Sequence, residues 1–105
     1  YLNEERFATL FARGRFRIKK WGRMKIKYEL KQKQISDYCI KKALKQIGEE
    51  EYLQTLKKLA KEKYASLKND QYLIRKKKTM DHLLQKGYEA EAVSKILENE
   101  KESRS

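Results

Sequence analysis

The sequence predicts an all-α protein made of tandem three-helix repeats, two units and six helices laid out as an elongated array. Three observations predict it. Apolar residues recur at helical spacing along nearly the whole chain, the pattern of one buried stripe per helix. There is no Pro and there are only four Gly in 105 residues, so the helices are joined by short turns. A shift of 53 residues places Leu30 on Leu83, Gln32 on Gln85, Lys33 on Lys86, Ile35 on Tyr88, Ile40 on Val93 and Leu44 on Leu97. A helix, a Gln-Lys turn and an apolar closing helix are thus written twice, the signature of a stacked repeat.

The first helix is expected over about 4–18, with Asn3 as N-cap and Glu4 and Glu5 in the first turn, where acids suit the helix dipole. Phe7, Leu10, Phe11, Gly14 and Ile18 form its apolar face, and Arg6, Arg13 and Arg17 lie on another. Trp21-Gly22 makes a turn into a second helix over about 23–31, which buries Ile26 and Leu30. Ser36-Asp37 caps a third helix with Ile40, Ala43, Leu44 and Ile47 inside, ended by Gly48. Glu49, Glu50 and Glu51 open a fourth helix with Tyr52, Leu53, Leu56, Leu59, Ala60, Tyr64 and Leu67 at apolar spacing. Asn69 or Asp70 caps a fifth helix to about Gln85, and 89–98 forms a sixth around Ala92, Val93, Ile96 and Leu97. The expected domains are 1–48 and 49–100, with 101–105 a fraying polar tail.

Charge carries the functional signal. Between Arg13 and Lys33, ten Lys or Arg (Arg13, Arg15, Arg17, Lys19, Lys20, Arg23, Lys25, Lys27, Lys31, Lys33) meet one acid, Glu29, which is +9 of the chain's formal +12. Like charges at helical neighbour spacing repel, and unpaired cations are costly to bury. A solvated face mixes signs, so a run of one sign points to a polyanionic partner. Phe16, Trp21 and Tyr28 interleave the run, which makes it a structured surface. Trp21, beside Gly22 at a helix junction, suits packing between helices better than stacking on a base. Arg75, Lys76, Lys77 and Lys78 form a secondary basic cluster; four successive helical positions point all round the helix, so at least one stem lies on packed surface.

Other chemistries have little support. A single Cys39 excludes an internal disulfide and, with a single His82, supplies no zinc cluster. No Gly-rich phosphate loop and no carboxylate pair in apolar surroundings is present, so no catalytic residue, metal or cofactor is expected and the chain is not read as an enzyme. His82 reads as a partly buried helix residue. No apolar run approaches the roughly 20 residues of a membrane span, and a cytoplasmic monomer is expected. The basic helices carry few Asn, Gln or Ser to read base edges, so backbone contact fits better than sequence readout.

The string YLNEERFATLFARGRFRIKKWGRMKIKYELKQKQI resembles the RecX regulatory proteins. The resemblance rests on Glu4, Glu5, Arg6, Phe7 and Ala8; on Arg13 and Arg15; on Trp21 and Gly22; on Lys25 and Ile26; on Glu29 and Leu30; and on Gln32 and Lys33. The ending LLQKGYEAEAVSKIL resembles the family's last repeat. It implies three tandem three-helix repeats, of which this chain looks like the second and third. It further implies binding to the RecA recombinase filament on single-stranded DNA and suppression of strand exchange, ATP hydrolysis and coprotease activity, within DNA recombination, repair and the SOS response. Two positions depart from the pattern: Arg23 stands where Pro is usual, and Gln34 replaces the turn Gly. The surface expected to touch DNA or filament is Arg13, Arg15, Arg17, Lys19, Lys20, Trp21, Arg23, Lys25 and Lys27. A stand-alone, sequence-tolerant DNA or RNA binder is the rival reading, since the same charges suffice for it.

Overall fold

The structure is a computed structural model that describes the backbone of residues 3–104 and side chains as far as Glu98. It contains six helices: α1 (Glu4–Lys19), α2 (Arg23–Gln32), α3 (Asp37–Lys45), α4 (Glu49–Ser66), α5 (Tyr72–Gln85) and α6 (Ala90–Arg104). No strand occurs among the described residues. In the first unit α1 lies along α3, with α2 against both, and in the second α4, α5 and α6 pack on one another. The molecule measures 53 × 23 × 21 Å with a radius of gyration of 15.4 Å, above the ~13 Å of a compact chain of this length. It is the elongated tandem repeat the sequence predicts.

Local signals set the helix ends. Asn3 Oδ1 accepts from the Arg6 N–H at 2.9 Å, and Ser36 Oγ from the Cys39 N–H at 3.3 Å, satisfying first-turn donors. The fifth helix departs from expectation. It begins after Gln71, with no side-chain cap, and Asp70 instead pairs with Lys78 at 3.0 Å. The fraying expected of 101–105 concerns residues whose side chains, and for Ser105 the backbone, lie outside the described residues.

The two units repeat their closing turn in detail. Ile35 N–H donates to Leu30 O and Gln34 N–H to Lys31 O; 53 residues on, Tyr88 N–H donates to Leu83 O and Gly87 N–H to Leu84 O. Both are helix ends closed by a left-handed residue, Gln34 at φ 63° and Gly87 at φ 101°. Leu30, Leu83, Ile40, Val93, Tyr88 and Leu97 are all buried, as the repeat requires.

In α1 the buried face differs from the expected one. Ala8, Ala12 and Phe16 are buried, whereas Phe7, Leu10 and Ile18 are exposed. Ala8, Ala12 and Ala43 are fully buried where α1 meets α3, and small side chains let two helices approach closely. Close approach, and not bulk, selects the face.

Turns join the units. Gly22 N–H donates to Lys86 O and Met24 N–H to Gly87 O, each at 2.8 Å, while Tyr88 Oη donates to Lys20 O at 2.9 Å and Lys86 Nζ to Lys19 O at 3.3 Å. The contact is backbone on backbone. A Cβ on Gly22 would overlap the Gly87 carbonyl, and one on Gly87 would overlap Lys25. Beneath the turns, the Phe16, Tyr52 and Tyr88 rings follow one another at 5.7 and 5.2 Å, so a single core runs through both units.

Candidate functional site

The charge is unevenly divided. Residues 1–48 hold 14 Lys or Arg against four acids, and residues 49–105 hold 13 against 11. The first unit therefore carries the positive field.

Within the basic run, Arg13, Arg17, Lys19, Lys20, Lys27, Lys31 and Lys33 are exposed, and Arg15, Arg23 and Lys25 are half-buried. Arg13 and Arg17 stand one turn apart on the outer side of α1. Lys20, left-handed at φ 61° at the end of α1, donates from Nζ to Arg17 O at 3.0 Å. Arg17 lies 3.5 Å from Glu51, but both side chains are about half exposed, so the pair is weak and Arg17 stays available.

A second group lines the seam between α1 and α2. Arg15 Cζ is 4.5 Å from the Phe11 ring centre and 5.5 Å from that of Trp21. Lys25 Nζ lies 4.6 Å from Trp21, and Lys33 Nζ 5.6 Å from Phe11. Aromatic faces attract cations electrostatically, so the rings hold Lys33, Arg15 and Lys25 in a row despite their mutual repulsion. Trp21 is half-buried and packs on the core; it works as a mount for cations. The sequence points to Trp21 and Arg15 but not to Lys33 or Phe11; the four-residue spacing of Phe11 from Arg15 on α1 is a readable signal, whereas Lys33 comes from the end of α2 and meets Phe11 only in the folded unit.

Arg23 points elsewhere. Its guanidinium sits 3.9 Å from the Tyr52 ring centre and pairs with Glu49 at 2.7 Å and Glu89 at 3.4 Å. Its backbone N–H donates to Tyr52 Oη at 2.9 Å, and that hydroxyl donates to Glu89 at 2.6 Å. Burial works against the Arg23 charge, yet Glu49 and Glu89 outweigh it and hold the pKa above its ordinary value. Burial chiefly, reinforced by Glu89, pushes the Tyr52 phenol well up. Arg23, expected on the binding surface, is placed in the joint between units.

The secondary cluster is dispersed too. Arg75 donates from Nε and Nη2 to Tyr64 O at 3.2 and 2.7 Å and lies 3.8 Å from the Tyr64 ring centre, closing the end of α4. Lys78 pairs with Asp70, Lys76 is half-buried, and Lys77 is exposed. His82 is half-buried on α5, where burial, then Lys63 and Lys86, lower its pKa. Cys39 is buried. Among the described residues no group of three or more His, Cys, Asp or Glu could hold a metal, and no helix is long and apolar enough to cross a membrane.

Comparison with known proteins gives a consistent picture. The RecX second three-helix domain matches residues 3–44, and the RecX third three-helix domain matches residues 49–97. Regulatory protein RecX of Clostridium perfringens (strain 13 / Type A) is 35% identical over 99 residues, covering 91% of this chain and 45% of its own length. Regulatory protein RecX of Bacillus cereus (strain G9842) is 29% identical over 104 residues, 99% of this chain and 38% of its own length. The chain thus spans less than half the length of these two relatives. A crystal structure of regulatory protein RecX superposes with a TM-score of 0.80 at 25% identity, covering 90% of this chain and 47% of that one. With domain matches over most of its length and the same tandem helical architecture, this chain belongs to the RecX family.

Proposed function

We propose that the protein is a non-enzymatic regulator that lays the basic surface of its first unit, residues 1–48, against a RecA filament on single-stranded DNA and inhibits its recombinase, ATPase and coprotease activities. The second unit, residues 49–100, braces the first through the turn–turn joint. The observation that carries this reading is the outward display of one sign: seven of the ten cations between Arg13 and Lys33 are exposed, and Arg15 and Lys25 are held beside them on aromatic rings. Such a surface suits the phosphate backbone of DNA and acidic protein surface together. Arg13, Arg15, Arg17, Lys19, Lys20, Lys25 and Lys27 form it, Lys33 joins it, and Arg23 is left out. Occupancy of the filament, or blocked addition of subunits, would inhibit without chemistry.

The test is RecA-dependent ATP hydrolysis on single-stranded DNA, with the wild type and with Arg13, Arg17, Lys20 and Lys25 all changed to Glu. Inhibition should fall by about tenfold or more in potency for the variant, with its helical circular dichroism retained; undiminished inhibition would reject the surface. The same charge density favours, as a second reading, direct binding to bare nucleic acid. If about six side chains reach phosphates, log affinity for a single strand falls against log salt with a slope of roughly −4. Tight binding of a bare oligonucleotide, indifferent to RecA, would favour that reading.

A further inference from the structure

Helix α1 keeps an apolar stripe that its own fold covers only at one end, where the Phe7 ring lies 5.9 Å from that of Phe11. Phe7, Leu10, Gly14 and Ile18 follow one another at three- and four-residue steps and so share a face. Phe7 is 45% exposed, Leu10 58% and Ile18 80%. At the centre of the stripe sits Gly14. A glycine inside a helix costs about 1 kcal/mol relative to Ala, and here nothing inside the chain requires it. A Cβ at Gly14 would meet no atom within 4 Å, and its φ is not positive. A bare α-carbon between two exposed apolar side chains is a notch into which another backbone fits.

We infer that this face of α1 docks an amphipathic helix of a partner protein, one whose apolar ridge is flanked by Asp and Glu. Charge selects the partner. Arg6, Arg13 and Arg17 border the stripe on one side, and Arg15, held on Phe11, borders it on the other. A partner with acids beside its ridge meets cations on both edges, which sets orientation and speeds encounter. Two copies of α1 placed face to face would instead oppose cation to cation.

The inference goes beyond the function proposed above, and its test needs neither RecA nor DNA, so each stands or fails separately. The probe is a fluorescein-labelled, three-heptad peptide with Leu at a and d and Glu at e and g, titrated with the whole chain at physiological salt and read by anisotropy. Saturable binding is expected. It should weaken by about tenfold or more for a peptide of the same composition with the Leu residues scattered off one face. The same loss is expected for the Leu10→Ser/Ile18→Ser variant and for Gly14→Leu. Because Leu is the better helix former, Gly14→Leu should melt no lower than the wild type, which separates docking from folding. Equal binding of the scattered peptide, unchanged binding by Gly14→Leu, or no binding at all would overturn the inference. So would sedimentation showing that the chain dimerises and that Leu10→Ser/Ile18→Ser abolishes the dimer.

Discussion

Arg23 shows how one cation of a basic run can take up a structural task. It is flanked by Gly22 and Met24, whose N–H groups bond across to the second unit, and at that point a guanidinium reaches Glu49 and Glu89 together while lying on Tyr52. Its fork and flat face satisfy three partners at once, which a Lys ammonium does not. Removing the guanidinium leaves the Glu49 and Glu89 carboxylates and the Tyr52 ring facing an emptied site. Arg23→Ala should therefore cost about 2 kcal/mol, seen as a melting midpoint lower by several degrees, and Arg23→Lys should recover less than half of that. A midpoint unmoved by Arg23→Ala would mean that the ion pairs are solvent-screened and contribute nothing to the joint.

At the scale of elements, backbone geometry separates the two closing turns that the sequence repeats. Gly87 reaches φ 101° without a side chain, whereas Gln34 holds φ 63° with one, a conformation that costs a non-glycine residue roughly 1 kcal/mol. Gln34 is exposed, so its side chain gives little in return. Gln34→Gly should thus raise stability by about 0.5–1 kcal/mol in chemical denaturation, and a loss would show that the side chain has a role in the turn. This repeat was legible because Leu30, Ile35 and Ile40 and their counterparts 53 residues on are apolar at matched spacing. The buried face of α1 was not. Periodicity weighs bulk, and Phe7, Leu10 and Ile18 outweighed Ala8 and Ala12, yet the closeness of α3 decides which side is covered. The start of α5 was misread for a related reason: Asp70 is a good cap by type, but Lys78, two turns into the helix, draws it into an ion pair. The basic surface itself was readable from charge alone, whereas the departure of Arg23 depended on Glu49 and Glu89, which meet only after the units dock.

For the whole molecule, the joint decides whether two small units act as one body. Each has a thin core, and what fixes their mutual orientation is a pair of turns in backbone contact, with Tyr52 and Tyr88 behind them. Gly22 is the sensitive position, although its own φ of −80° suits any residue, because the obstacle is space: a methyl group there would overlap the Gly87 carbonyl and the Tyr88 nitrogen. Both are backbone, so neither can rotate away. Gly22→Ala should push the turns apart and cost about 1–3 kcal/mol, whereas Gly14→Ala, an exposed methyl in a helix, should leave stability unchanged or raise it. Amide hydrogen exchange localises the effect. The Met24 amide, which donates to Gly87 O across the joint, should lose protection in Gly22→Ala, while the Leu56 amide, inside α4 and away from the turns, should keep it. Equal loss at both positions would mean that the joint and the units open together, making the core, and not the turns, the element that sets their orientation.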